Sequence, residues 1–377
     1  MAHQLGWGLV LVIVGGILNG SFAAPMKRLS AWRWENTWLI YAVSGLLILP
    51  WAMALATVPH VWGVLQQSSG LALTKVALFG LAWGIGGLLF GQGISRVGLA
   101  LGFPVILGIT SSFGSLLPLV ILHPEELRTS HGIALTAGTA VAMLGLVFLA
   151  FAGRRREKEQ AAALAADRAK FGAGLVICIL SGVFSSMLNF AFVFGEEIRQ
   201  LSLQAGAAHS QSANAVWAVG LSFGFIPNLA YCIYLLNKNR TWVVFSEKQA
   251  GAGYAMAAAL MGVLWYGGIA VYGMGADAMG RLGGIVGWLM FISVDIIVGI
   301  LWGFLGGEWK GASRRALSYC LAGAGLALPQ EGAAGWYLKR NPALPPLIER
   351  RYSNAATAGV GGAKPPHSKA PCIRARL

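Results

Sequence analysis

This sequence predicts an all-α, polytopic membrane protein, and three observations carry the prediction. Charged residues make up 11% of the chain and hydrophobic residues 56%, about half the charge of a soluble domain. Uncharged apolar runs of about 20 residues recur, each long enough to cross a hydrocarbon core of about 30 Å. The third observation is a duplication. Trp83–Gly98, WGIGGLLFGQGISRVG, returns as Trp265–Gly280, WYGGIAVYGMGADAMG. Trp83 then meets Trp265, Gly86 meets Gly268, Gly91 meets Gly273, Gly93 meets Gly275, Gly98 meets Gly280, and Phe90 meets Tyr272. With 52 Gly in the chain, some glycine matches come free. The paired Trp and the common spacing carry the weight. An internal repeat in an apolar chain points to a transporter.

The spans follow in order. Leu5–Ala24 resembles a signal peptide, because SFAAP mimics a cleavage site. However, no Lys or Arg precedes it, whereas Lys27, Arg28 and Arg33 follow. A secretory signal has its positive end first, so this is expected to be an uncleaved first span. Span two is Asn36–Thr57, ended by Pro59. Spans three, four and five cover Leu73–Ser95, Leu99–Leu122 and His131–Ala152. The charged segment 153–171 then joins two halves. Spans six to nine cover Gly172–Phe194, Ala213–Leu236, Gly251–Gly275 and Leu282–Leu305. The stretch Ala316–Pro329 is too short for a confident tenth span. Residues 319–377 read as an atypical tail, rich in Pro, Lys and Arg, either disordered or altered by a frameshift after Tyr319.

Charge sets the orientation. Loops 25–36, 96, 153–171, 238–249 and 306–315 hold 16 Lys and Arg, while the alternate segments hold Arg128, Arg199, Arg281 and Lys75. The positive-inside rule puts the first set in the cytoplasm and the N-terminus outside. Five spans per half is an odd number, so residues 1–152 and 172–318 should form two inverted five-helix repeats. The net charge of +14 is therefore assigned to loops and tail, and nucleic acid is excluded as a partner. Cys178, Cys232, Cys320 and Cys372 are scattered, so neither a disulfide framework nor a zinc site is indicated.

Several motifs together resemble the L-rhamnose–proton symporter family of the drug/metabolite transporter superfamily. They are Gly20–Lys27 (GSFAAPMK), Trp32–Glu35, Leu49–Trp51, the FGLAWGIGGLLFGQGISRVG stretch, and Gly307–Lys310 (GEWK). Their order and spacing hold from about residue 5 to 318. The resemblance implies about ten helices in two halves, and uptake of a deoxyhexose coupled to protons. The family's closing helix has no convincing match here.

A sugar needs hydrogen-bonding groups and a flat apolar surface, both facing a central cavity. The candidates are Asn19 and Ser21 in span one, Gln92 in span three, and Ser111 and Ser112 in span four, with Ser115 beside them. Asn189 in SSMLNFAF echoes span one. Asn214 and Asn228 are weaker candidates. Trp83, Trp265 and Tyr266 could stack on a sugar ring. Each has a plainer reading, as helix–helix bonding, backbone bonding or interfacial anchoring.

Proton coupling needs an acid in the membrane. Asp295, in FISVDIIVG, lies deepest; a carboxylate there costs about 2.5–3.5 kcal/mol unless it is neutral, paired or wetted. Glu35 is its rival, at the cytoplasmic edge near Lys27 and Arg33, where a plain ion pair is the safer reading. Glu308 reads as a solvated loop acid. HPEELRTSH at 123–131 is a poor metal site because it lies in a loop. The expected function is sugar–proton symport by alternating access, without cofactor, in the bacterial inner membrane. The alternatives are a transporter of amino acids or nucleotide sugars, or an inactive relic. A membrane enzyme is disfavoured, since only Asp295 is a deep acid.

Overall fold

A computed structural model describes residues 2–97, 99–122, 124–129, part of 133–155, 168–246, 252–280, 283–307, 309–310 and 312–327. The described residues all fall within one compact unit, Met1–Pro342. The tail beyond 327, linker residues 156–167, His123, His131, Glu308 and Cys372 lie outside the described residues. So do the disorder, frameshift and loop-acid expectations attached to them.

Among the described residues the chain is helical, and seven stretches are long and apolar enough to cross a membrane. α1 covers Ala2–Gly20. α2 covers Trp34–Thr57, with a π-helical turn at Val43–Ile48. Short α3, Val61–Gln67, precedes α4 at Gly70–Val97. α5 covers Leu99–Leu122, and the residues described between 133 and 152 are helical. α6, Arg168–Ser185, breaks at Ser186 and resumes as α7, Met187–Phe194. Then come α8 (Glu196–Gln204), α9 (Asn214–Asn239) and α10 (Ala252–Ala278). α11 covers Gly283–Leu305 and opens with a π turn at Gly283–Gly287. α12 covers Arg314–Ala327.

Two elements go beyond the sequence expectation. The segment 195–212, between spans six and seven, contains α8. Glu196 and Glu197 occupy its first turn, where the helix dipole favours acids, and Ile198 is fully buried beneath it. The second is α12, which runs across the expected 318/319 boundary. The Ser313 hydroxyl accepts the Ala316 amide at 3.2 Å and caps its start.

Glycines set how closely the helices approach, as small residues do in lipid. α1 runs antiparallel to α10, with Gly8 on Gly275 and Gly15 on Gly268; a Cβ at Gly15 would sit 2.8 Å from the Gly268 carbonyl oxygen. α6 meets α4 in the same sense, with Cys178 on Gly93 and Ser185 on Gly86. α1 also packs along α11, with Gly16 on Val294 and Gly20 on Asp295. α6 packs along α5, with Gly182 on Ile109. Gly45 of α2 abuts Gly262 of α10, and Gly220 of α9 abuts Gly80 of α4. The core between these helices is aromatic: Trp217, Tyr272 and Phe291 are among its largest fully buried side chains.

Candidate functional site

The site begins where α1 ends. The helix stops at Gly20, before its span ends at Met26. Asn19, Gly20 and Ser21 are weak helix formers, and Pro25 follows. The chain turns instead, with Ser21 N–H donating to Leu18 O at 3.2 Å and Phe22 N–H to Asn19 O at 3.0 Å. Irregular backbone at membrane depth is tolerated only where protein buries it or a wet cavity borders it.

The break sets three groups side by side. Buried Asn19 donates from Nδ2 to the Trp265 carbonyl at 3.2 Å. The Trp265 ring stacks on Trp83, with centroids 5.0 Å apart and an interplanar angle of 28°. Asp295 of α11 faces Gly20, its Oδ1 lying 3.1 Å from where a Cβ on that glycine would sit. Among the described residues, no donor hydrogen-bonds or ion-pairs with this carboxylate. Tyr266, beside Trp265, is buried, and its hydroxyl also lacks a partner among the described residues. Leaving such a hydroxyl dry and unmatched costs about 1–3 kcal/mol.

The aromatic surface continues into α2, which the sequence reading missed. Tyr41 meets Trp265 edge-on at 6.2 Å and touches Trp38 at 4.7 Å. Trp38 Nε1 donates to Asn228 Oδ1 at 2.9 Å, and Asn228 Nδ2 to Gly224 O at 2.9 Å. The spacing Trp34, Trp38, Tyr41 places these rings along one helix face. That spacing was the available signal.

Other predicted residues lie elsewhere. Fully buried Asn189 ties three helices together. Its Nδ2 donates to Gly114 O at 3.0 Å and Gly284 O at 2.7 Å, and its Oδ1 accepts Tyr272 O–H at 2.6 Å. Ser21 accepts Trp302 Nε1 at 2.9 Å and donates to Ile17 O at 2.7 Å. Ser115 does not bond its own helix; it donates to Ile285 O of α11 at 3.2 Å. Ser111 and Ser112 are buried on α5. Gln92 is half-buried, about 13 Å along α4 from Trp83 by helical rise. Asn214 is occupied by Thr57 Oγ1 at 2.8 Å and Gln211 Oε1 at 2.7 Å.

Of the basic residues expected beside Glu35, the Lys27 side chain lies outside the described residues. The Glu35 carboxylate is buried and accepts neutral donors among the described residues, Asn239 Nδ2 and Thr241 Oγ1, both at 2.9 Å. It clamps the start of α2 to the end of α9.

Seven apolar spans, with helix breaks beside amides, stacked indoles and an acid that has no partner among the described residues, mark a polytopic membrane protein. The family model for the L-rhamnose-proton symport protein matches residues 1–328, and the chain belongs to that family. It is 26% identical over 347 residues to the L-rhamnose-proton symporter of Cronobacter sakazakii (strain ATCC BAA-894), covering 90% of this chain and 100% of the relative. It is 26% identical over 324 residues to that of Klebsiella pneumoniae (strain ATCC 700721 / MGH 78578), covering 84% and 94%. It is 27% identical over 324 residues to that of Shigella dysenteriae serotype 1 (strain Sd197), covering 84% and 94%. The family match reaches residue 328 and therefore takes in α12.

Proposed function

We propose that this chain carries L-rhamnose, or a closely similar deoxyhexose, across the bacterial inner membrane together with a proton. The observation that carries this reading is the unpaired Asp295 carboxylate against Gly20, one residue from the Asn19 amide that holds Trp265. In that arrangement the indoles of Trp83 and Trp265 offer a face for sugar C–H groups, while Asn19 and the unmatched Tyr266 hydroxyl offer polar contacts. Ser111, Ser112, Ser21 and Gln92 are secondary candidates. Asn189 acts by holding α5, α7 and α11 at the second break. Asp295 takes a proton from the side of higher proton concentration. The neutral, sugar-loaded form crosses more readily, so the proton gradient drives accumulation.

Reciprocal packing supports the inverted five-helix repeat in this proposal. α1 stands to α10 and α11 as α6 stands to α4 and α5, and α2 stands to α10 as α9 stands to α4. Gly268 on Asn19 matches Gly86 on Ser185, so the counterpart of Asn19 by packing is Ser185, not Asn189. The breaks after Gly20 and at Ser186 then correspond as well. In this reading ten spans alternate, the linker 153–171 lies in the cytoplasm and the N-terminus outside. Rhamnose added to lightly buffered cells expressing the protein should alkalinise the medium. A flat pH trace with rhamnose, set against a response to an amino acid or nucleotide sugar, would replace the proposed substrate.

A further inference from the structure

One charged cluster plays no part in the site above. α8 lies at the membrane face where the chain begins and bridges the ends of two helices. On one side of its first turn, Glu197 Oε1 accepts the Ser69 amide at 2.6 Å and its Oε2 accepts the Ser69 hydroxyl at 2.8 Å. That hydroxyl accepts the Ala72 amide at 3.2 Å, so Glu197 grips the cap of α4. On the other side of the same turn, Arg199 pairs with Asp277 in the last turn of α10 and donates to Glu196 Oε2 at 2.7 Å. Arg199 is 9% exposed, its Nε has no partner among the described residues, and its guanidinium lies 4.7 Å over the Phe192 ring. Below it Phe192 stacks on Trp217 at 5.4 Å and meets Tyr272 at 5.8 Å. These rings cover the interior from this face.

α4 and α10 carry Trp83 and Trp265, the stacked walls of the candidate site. In alternating access a path to that site from this face requires their ends to part, and the first turn of α8 joins both ends. A buried ion pair contributes little net stability after desolvation, yet losing one partner strands a dry charge. Such a pair suits a contact that exists in one conformation and is wetted in another. An acid at the C-terminal end of α10 is also disfavoured by the helix dipole, so Asp277 depends on Arg199, with the exposed His209 Nδ1 3.8 Å from its other oxygen.

We propose that the Arg199–Asp277 pair is a latch that closes the site toward the N-terminal face, with α8 as its strap. The proposal rests on the alternating-access reading. Its test uses thiol labelling without sugar, so failure of rhamnose transport leaves the test intact. The full chain is made cysteine-free and given one reporter, Ala276→Cys beneath the latch or Ala258→Cys at the opposite end of α10. Oriented vesicles are treated with an impermeant maleimide. Asp277→Asn and Arg199→Gln should each speed labelling of Ala276→Cys from the N-terminal face about 10-fold, equivalent to about 1.4 kcal/mol. The same variants should slow labelling of Ala258→Cys from the linker face. Arg199→Lys and the exchange Arg199→Asp with Asp277→Arg should restore both rates to within about twofold, about 0.4 kcal/mol. Any other pairing overturns the latch, including both reporters accelerating together, as a loosened fold would give. A charge exchange that labels like the single variants also overturns it.

Discussion

Asp295 is an acid that no side chain answers among the described residues. A carboxylate held in hydrocarbon without a partner is stable only if it gains a proton or meets water, which is what a coupling residue does in turn. Asp295→Asn should therefore abolish uphill rhamnose uptake driven by a pH gradient while sparing exchange of labelled for unlabelled sugar. Unchanged uphill uptake would clear Asp295 of the role. Trp265 is argued from shape. Its stack with Trp83 offers apolar faces worth about 0.5–1.5 kcal/mol per aromatic contact. Trp265→Ala should thus raise the KM for rhamnose about 3–10-fold, with less effect on the rate at saturation. An unchanged KM in well-folded variant protein would move the sugar elsewhere. Asp295 and the Trp pair were legible because a lone acid stands out in an apolar run and the duplication marks both tryptophans. Tyr41 and Trp38 were not, since an aromatic stripe at helical spacing also reads as interfacial anchoring.

At the scale of elements, the breaks matter most. α1 ends within its span, and α6 gives way to α7 at Ser186. Asn189 secures the second break by satisfying Gly114 O, Gly284 O and the Tyr272 hydroxyl. Asn189→Leu strands all three and should cost about 2–4 kcal/mol. Thermal unfolding of the purified protein in detergent would register this as a lower Tm. An unaltered Tm with reduced rhamnose affinity would return Asn189 to the substrate contacts. The sequence placed Asn189 in a polar patch inside a span but could not separate knot from site. Its three partners come from helices far apart in the chain. α8 was left out of the spans for a related reason: nine residues with six polar or charged groups look solvated until Arg199 and Ile198 are seen buried.

At the scale of the molecule, the proposal of two inverted halves predicts opposite exposure for equivalent loops. A single cysteine placed in 153–171 should react with an impermeant maleimide only in inside-out vesicles. One placed at exposed His60 should react only in right-side-out vesicles. The reverse pattern would invert the whole assignment, and with it the face that the Arg199–Asp277 pair guards. By itself, the sequence determined the membrane class, the order of most spans and the family, because hydrophobic length, charge placement and motif order are local or linear properties. Tertiary structure alone decided which groups meet: Asp295 with Gly20, Asn19 with Trp265, Arg199 with Asp277. Those contacts depend on how closely glycine-lined helices approach one another, and no spacing along a single helix encodes that distance.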